Sequence, residues 1–371
     1  MSDLAASGRS DSAGVRLVSL TKRYRAMTAV DSIDLEVRDG ELFTILGASG
    51  SGKSTTLLMV AGFTPPTSGQ ILIGDQLVND IPPQKRNVGM IFQHYANFPH
   101  LTLFENIAFP LRARGFPRDH VQRQVGEMMR LVQLEGLEDR LPHQLSGGQQ
   151  QRAAIARALA FRPRVLLMDE PLGALDKKLR EYMQREIKDL QRQLGLTVIY
   201  ITHDQEEALS LSDRIAIMRA GRVEQVGTPR ELYEQPDNLY VAEFLGNSNV
   251  LSGVAGDMDA DGYWPVHQDG GVAFKGRAIG PLRSGAAVRA MVRPEQVRLA
   301  PAAEPSENSC PGRVLERKYL GDVSFMHVRL ASGALMSVKD LTDRFGDELH
   351  VNDTVHAIWR PDVTRIYPAD V

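Results

Sequence analysis

One cysteine in 371 residues, Cys310, leaves no partner for an internal disulfide and too few thiols for a thiolate metal cluster. Such a chain suits a reducing compartment. An excess of one charge is also missing: 43 basic against 46 acidic side chains leave a net charge of -3. No overall field is therefore present to gather nucleic acid or anionic lipid by counterion release. Long apolar runs are absent as well. Stretches such as Val165-Leu-Leu-Met168 are strand-sized, far short of the ~20 residues that a membrane-spanning helix requires. The opening segment 1–14 is small and polar with no apolar block, so it reads as a disordered tail rather than a signal peptide. What is present is a globular composition, 43% hydrophobic, long enough for two or three domains.

The strongest local signal is Gly47-Ala-Ser-Gly-Ser-Gly-Lys-Ser54, a complete G-x-x-x-x-G-K-[ST] phosphate loop that follows the apolar run Glu41–Leu46. Glycines at 47, 50 and 52 let the backbone curl until successive N–H groups of Gly47, Ala48, Ser49, Gly50, Ser51 and Gly52 point at phosphate oxygens. Lys53 supplies a mobile positive charge and Ser54 a hydroxyl for Mg²⁺. The stretch from Ser54 and Thr55 to Ala61 can form a helix whose N-terminal end faces the same anion with roughly half an elementary charge. The spacing predicts a nucleoside triphosphate site.

Short β-branched runs at 15–20, 33–37, 42–46, 71–73, 88–92, 165–168, 197–201 and 214–218 alternate with helical stretches, the pattern of an α/β core. Between about 97 and 162 the strand signal gives way to amphipathic patterns at 103–113, 118–134 and 149–160, so a helical subdomain is inserted there. Beyond residue 245, Gly, Pro and short strands near 250–255, 288–293, 312–319, 323–330 and 354–359 predict a small all-β, barrel-like domain over 246–371.

Two further constellations carry chemistry. Asp169-Glu170 closes the apolar strand Arg164–Met168. Such a pair is ordinarily a solvated turn, but four apolar residues before it and a phosphate loop upstream give it a chemical reading. Strand alternation sends the two side chains different ways, so Asp169 can hold Mg²⁺ through its water shell while Glu170 polarises an attacking water. Leu145-Ser-Gly-Gly-Gln149 sets a hydroxyl (Ser146) and two bare backbone positions (Gly147 and Gly148) ahead of a helix, a second anion site.

The order of phosphate loop, Gln93, Leu145–Gln149, Asp169-Glu-Pro171, Gly173–Asp176 and Thr202-His203-Asp204 resembles the ABC-transporter ATPase family over residues 15–245. The resemblance implies a P-loop NTPase core that binds ATP and Mg²⁺ and works as a two-fold dimer. Each ATP would lie between the loop of one chain and the Leu145–Gln149 segment of the other. It implies that Tyr24 stacks on adenine, that Gln93 reaches Mg²⁺ and the attacking water, that His203 holds the γ-phosphate, and that Asp176 orders the opposite site. Metal contacts would come from Ser54, Gln93 and Asp169, and catalysis from Glu170, His203 and Gln93.

The same resemblance makes His94–Thr102, with two aromatics and a proline, a docking segment for a membrane-spanning permease; Asn97 departs from the apolar residue usual there. The C-terminal domain resembles the transport-associated OB-type fold of importers, on Arg293-Pro-Glu-Gln-Val297 and Tyr319-Leu-Gly-Asp322. Nucleic-acid binding by this barrel is disfavoured by Asp257, Asp259, Asp261 and few aromatics. The stretches 61–63, 172–181, 200–209 and 244–249 are similar to the ATPase of spermidine/putrescine importers. Importers of iron(III), sugars or phosphonates are the alternatives, and a soluble ABC ATPase acting on ribosomes or DNA belongs to another class. The expected partners are two permease subunits and, indirectly, a solute-binding protein, at the cytoplasmic face of a bacterial inner membrane, with no nucleic acid.

Overall fold

A computed structural model of the chain describes residues 12–93, 95–173, 175–304, 308–341 and 349–369. Most of the tail expected at 1–14 lies outside the described residues, as do His94 and Ala174. Ala13 and Gly14 are pinned: the Ala13 N–H donates to Arg164 O at 3.2 Å, and Gly14 O accepts from Gly74 N at 2.8 Å.

Two compact units divide the chain, Met1–Pro229 and Arg230–Val371. The first is built on a six-stranded sheet in the order Arg222–Gly227, Arg214–Arg219, Leu42–Gly47, Thr197–Thr202, Val165–Asp169, Val88–Ile91. Its last five strands are mutually parallel, and only Arg222–Gly227 runs antiparallel to its neighbour. Parallel strands covered on both faces read as unbroken apolar runs, and alternation then divides each run between two cores. Phe43, Ile45, Val165, Leu167, Ile199 and Ile201 meet Leu57, Met59 and Val60 of the helix Lys53–Ala61 on one face. Leu42, Leu166, Met168, Val198 and Tyr200 meet the helical block on the other. Each fully buried side chain of this kind contributes roughly 1.5–3 kcal/mol. A four-stranded sheet, Met27–Val37, Val15–Tyr24, Ser68–Ile73 and Gln76–Leu77, extends the first core with Val15, Leu17, Leu20 and Ile33.

The helical block contains Leu103–Ala113, Arg118–Leu131 and Gly147–Leu159. Two ends differ from the sequence pattern for local reasons. The second helix ends before 134 because Gln133 turns left-handed at φ 56°; the third begins at Gly147 because Ser146 caps it with its side chain. Ile107, Leu111, Val125, Met129 and Ile155 share one core with the sheet, so the block is bound to the strands beneath it.

In the second unit, Asn249–Ala255, Trp264–His267, Ala273–Ala278, Arg365–Pro368 and Ala287–Val292 close into a barrel. A second sheet follows in the order Arg298–Ala300, Thr354–Trp359, Asn308–Tyr319, Val323–Leu330, Leu335–Leu341, and both share a core around Phe274 and Trp359. The unit begins ahead of residue 246 because Arg293 reaches back to the helices Pro229–Glu234 and Leu239–Phe244. Its guanidinium donates to Tyr233 O at 3.1 Å, Ala242 O at 2.9 Å and Ser248 Oγ at 2.7 Å.

Candidate functional site

Four parallel strands, Leu42–Gly47, Thr197–Thr202, Val165–Asp169 and Val88–Ile91, end at one edge of the sheet. The phosphate loop, His203, Asp169-Glu170 and Gln93 follow those ends directly, so a parallel register alone brings together segments far apart in sequence. Ligands of open α/β sheets bind outside such carboxyl ends.

The loop obeys tight backbone constraints. Gly52 has φ 106°, and a Cβ there would lie 2.5 Å from Ala29 O; at Gly47 a Cβ would lie 2.4 Å from Met218 O. Gly52 also occupies the cap position of the helix Lys53–Ala61, which has no side-chain cap and no acidic residue in its first turn. Its N–H groups are thus open to an anion. Ala48, Ser49 and Gly50 are exposed, whereas Ser51 is buried and its carbonyl accepts the Gly221 N–H at 3.0 Å. Lys53, only 5% exposed, folds over its own loop and donates to Gly47 O at 2.8 Å and Ala48 O at 3.1 Å. Burial lowers its pKa, opposed by the nearby carboxylates of Glu170 and Asp169. At the other end of the helix Arg86, which sequence reasoning missed, donates to Met59 O at 2.8 Å and Val60 O at 3.0 Å.

Asp169 and Glu170 have different neighbours. Asp169 Oδ1 accepts from Ser54 Oγ at 3.1 Å. Burial raises the Asp169 pKa and the Glu170 charge adds to this, while the Ser54 hydrogen bond and Lys53 act in the other direction. Glu170 takes φ 45°, a conformation uncommon for a side chain with a Cβ. Its N–H still continues the ladder to Ile201 O at 3.0 Å. That turn lays its carboxylate between two groups: Oε1 lies 3.1 Å from His203 Nδ1, and Oε2 accepts from Gln93 Nε2 at 3.4 Å. Ser54 Oγ and Asp169 Oδ1, in contact, are hard oxygen donors, and Gln93 is linked to the neighbouring Glu170. Among the described residues no group of three or more His, Cys, Asp or Glu could hold a metal ion by itself. A cation here would complete its shell with water and phosphate oxygens, the coordination that suits Mg²⁺.

The remaining predicted residues stand elsewhere. Ser146 and Gln149 form a capping box at the start of Gly147–Leu159, with Gln149 Oε1 accepting from Ser146 N at 2.9 Å. Leu145 is buried in the core, so its side chain is turned away from any ligand, whereas Ser146 and Gly147 are exposed. Gly147 and Gly148 lie against Leu175 and Leu179. Asp176 caps the helix Lys177–Leu194, accepting from Leu179 N at 3.1 Å. Among the described residues no hydrogen bond or ion pair joins Ser146–Gln149 or Asp176 to the phosphate loop of the same chain. Tyr24, 43% exposed, sits at the end of a hairpin with Lys22 Nζ 4.9 Å from its ring centre.

The segment expected to offer exposed aromatics turns partly inward. Tyr95 is buried, with φ 59°, and Ala96 has φ 48°. Arg157, which sequence reasoning also missed, donates to Tyr95 O at 2.7 Å and Ala96 O at 2.6 Å. A guanidinium desolvated within a helix needs acceptors, and it draws these two carbonyls in. Asn97 Nδ2 donates to Gln150 O at 2.9 Å, which gives its polarity an internal use. Phe98 packs on Phe109 at 4.6 Å between centroids, leaving Phe109 as the exposed apolar surface.

Comparison with known proteins finds relatives of both units. A family model described as ABC transporter matches residues 30–173, and one described as TOBE domain matches residues 290–366. The chain is 46% identical over 347 residues to the spermidine/putrescine import ATP-binding protein PotA of Rubrobacter xylanophilus, covering 93% of this chain and 91% of that one. To PotA of Acidothermus cellulolyticus it is 47% identical over 357 residues, covering 94% and 92%. Among solved structures, a dimeric ATP-binding cassette in a post-hydrolysis state with ADP and Pi superposes with TM-score 0.53 at 35% identity, over 58% of this chain and 99% of that chain. The chain also superposes on cbiO1 of Clostridium perfringens, part of an ABC transporter complex, with TM-score 0.55 at 29% identity, over 59% of this chain and 89% of that chain.

Proposed function

The chain belongs to the ABC transporter family as an ATP-binding subunit with a C-terminal TOBE domain, and we propose that it hydrolyses ATP to drive import of spermidine and putrescine. The observation that carries the chemistry is the placement of the Glu170 carboxylate between His203 and Gln93, beside an uncapped helix and Lys53.

In this reading the triphosphate takes the N–H groups of 47–52 and displaces Lys53 Nζ from the carbonyls of Gly47 and Ala48, so the buried ammonium exchanges weak dipoles for phosphate charge. Ser54, Asp169 and Gln93 would hold Mg²⁺, which when bound neutralises charge on the phosphate oxygens. Glu170 accepts a proton from the attacking water, and His203 and Gln93 hold the water and γ-phosphate in line. Catalysis of this kind is mainly position and charge. Tyr24 offers its exposed face to the adenine ring.

One chain leaves each site open, because Ser146–Gln149 and Asp176 stand apart from their own loop. We place them against the loop of a second copy, head to tail, giving two equivalent sites; that a relative with ADP and Pi is dimeric supports pairing of two copies. No helix among the described residues is long and apolar enough to cross a membrane. The membrane path therefore falls to two permease subunits docked near Phe98 and Phe109, with the ATPase pair peripheral on the cytoplasmic face and a solute-binding protein supplying polyamine. Selectivity lies in those partners.

The test is reconstitution in vesicles with the permease pair and binding protein. Spermidine or putrescine should stimulate ATP hydrolysis and accumulate inside. Stimulation only by iron(III), a sugar or a phosphonate would overturn the polyamine reading, and recovery of ribosomes or DNA in place of a permease would overturn the importer.

A further inference from the structure

His203 is 57% exposed on its side chain and touches Glu170, yet little else fixes its ring directly. The residues on either side of it are held by a buried network. Glu207, 2% exposed, accepts at Oε2 from Tyr200 OH at 2.9 Å and from Thr202 Oγ1 at 2.8 Å. Thr202 Oγ1 in turn accepts the Asp204 N–H at 2.9 Å. Asp204 caps the next helix, Gln205–Leu211, through the N–H groups of Glu206 and Glu207 at 2.9 and 3.1 Å. Both neighbours of His203 are therefore tied to one carboxylate.

A single guanidinium joins this network to a second turn. Arg180 Nη1 donates to Asp204 Oδ2 at 2.9 Å, its Nε lies 3.6 Å from Glu207 Oε1, and its Nη2 donates to Leu175 O at 3.1 Å. Arg180 lies in the first turn of the helix Lys177–Leu194, whose cap is Asp176, and the Arg180 N–H bonds to Asp176 O at 2.9 Å. The planar fork of Arg hydrogen-bonds two acceptors on two segments at once and keeps its charge within 3.6 Å of a third, Glu207 Oε1.

We propose that Arg180 is a positioning residue: hydrogen-bonded to Asp204 and to Leu175 O, with Glu207 as its nearby counter-charge, it ties the turn carrying His203 to the turn carrying Asp176, so that the two turns set their geometry together. This rests on the site reading above, in which His203 serves the chain's own nucleotide and Asp176 faces the partner copy's site. The consequence is that closure against the partner, felt at Asp176, is passed to His203 through one side chain. Arg180 touches no reacting atom; it acts by fixing where His203 stands, and a misplacement of about 1 Å can cost on the order of 10²-fold in rate.

The experiment is a double-mutant cycle in the full-length chain assayed with its permease partners, using Arg180→Ala, His203→Ala and the pair, with kcat and ATP binding measured separately. Arg180→Ala should lower kcat by about tenfold to a hundredfold with ATP affinity retained, and should add little in the His203→Ala background, because residues that act as a unit are not additive. Wild-type kcat, or the same fold-loss in both backgrounds, overturns the proposal, as does a loss confined to ATP affinity. Should Arg180→Ala fail to fold, Glu207→Gln reads the same cycle, since its amide oxygen still accepts from Tyr200 and Thr202 but no longer offers Arg180 a charge. Glu170→Gln is run beside them: if it turns over normally the site reading fails, whereas a dead Glu170→Gln with a normal Arg180→Ala removes only the tie.

Discussion

Glu170 Oε1 and His203 Nδ1 lie 3.1 Å apart, across the ends of two neighbouring parallel strands. The contact exists because Glu170 leaves its strand in a left-handed conformation, φ 45°, while its N–H stays on Ile201 O. In the function proposed above, this carboxylate accepts the proton of the attacking water. Glu170→Gln keeps the size and polarity of the side chain but not that basicity. Turnover should fall by about 10²–10⁴-fold, the usual range for a lost general base, while ATP binding persists and the ATP-bound dimer accumulates. Steady-state hydrolysis and light scattering with ATP are the measurements; near-normal turnover would refute the assignment.

The phosphate loop offers a comparison within three residues. At Gly50, φ 79°, a Cβ would have nothing within 4 Å, whereas at Gly52, φ 106°, it would have Ala29 O at 2.5 Å. Gly50→Ala meets only backbone strain, about 1–3 kcal/mol. Gly52→Ala meets the same strain and a clash with fixed backbone. It should therefore lower the melting temperature more and abolish nucleotide binding, because the helix N-terminus must move. Calorimetric titration with ATP and thermal melts of both variants decide it, and equal effects would show that contact with Ala29 is immaterial.

Features contiguous in sequence were legible: the phosphate loop, Asp169-Glu170 and His203 stand where their motifs and the parallel sheet require. Features made by distant partners were not. Arg86, Arg157 and Arg180 look alike as isolated arginines in the sequence, and only the fold gives them carbonyls of Met59, Ala96 and Leu175 to bind. A loop aromatic such as Tyr95 is usually exposed, but Arg157 turns that loop in. In the barrel, Trp264–His267 and Arg365–Pro368 contain proline and are four residues each, too short and irregular for a period-two signal. Arg365–Pro368 pairs with Ala287–Val292 across more than seventy intervening residues, so no local pattern marks the pairing.

Cys310 lies wholly buried in the shared core of the second unit, and burial pushes its thiol pKa up to about 12. The reactive species is the thiolate, so the native chain should resist alkylation at neutral pH and react stoichiometrically in denaturant. A native reaction rate close to that of a free thiol would contradict the burial. With one cysteine in the chain, the measurement also reports opening of this unit alone.

Arg293 supplies a use for that reporter. Its buried guanidinium serves Tyr233 O, Ala242 O, Asn247 O and Ser248 Oγ, and stacks 4.1 Å from the Tyr233 ring centre. Removing it takes a donor from one buried and three part-buried acceptors, of which Ala242 O keeps Ser248 Oγ as a side-chain donor, and each buried acceptor left unsatisfied costs about 1–3 kcal/mol. Arg293→Ala should accelerate Cys310 alkylation at least about tenfold, the factor that about 1.4 kcal/mol represents, while ATP affinity is unchanged. Arg293→Lys should not restore protection, since one ammonium cannot meet four acceptors. Unaltered alkylation in Arg293→Ala would mean that the helices Pro229–Glu234 and Leu239–Phe244 are held by other contacts.

Glu207 gives a pH signature with a definite sign. Burial raises its carboxyl pKa above the ordinary 4.5, and Asp204 adds to the rise, against the hydrogen bonds from Thr202 and Tyr200 and the charge of Arg180. A group that holds its proton more tightly in the folded than in the unfolded chain stabilises the fold fully below the unfolded pKa. That contribution is lost as pH rises through the folded value. Glu207→Gln cannot titrate, so the stability difference between wild type and variant isolates this one group from all other carboxylates. Measured by denaturant unfolding at intervals between about pH 4.5 and pH 7, that difference should move in favour of Glu207→Gln as pH rises. A difference that stays constant, or moves the other way, would show that Tyr200, Thr202 and Arg180 solvate the carboxylate better than burial penalises it.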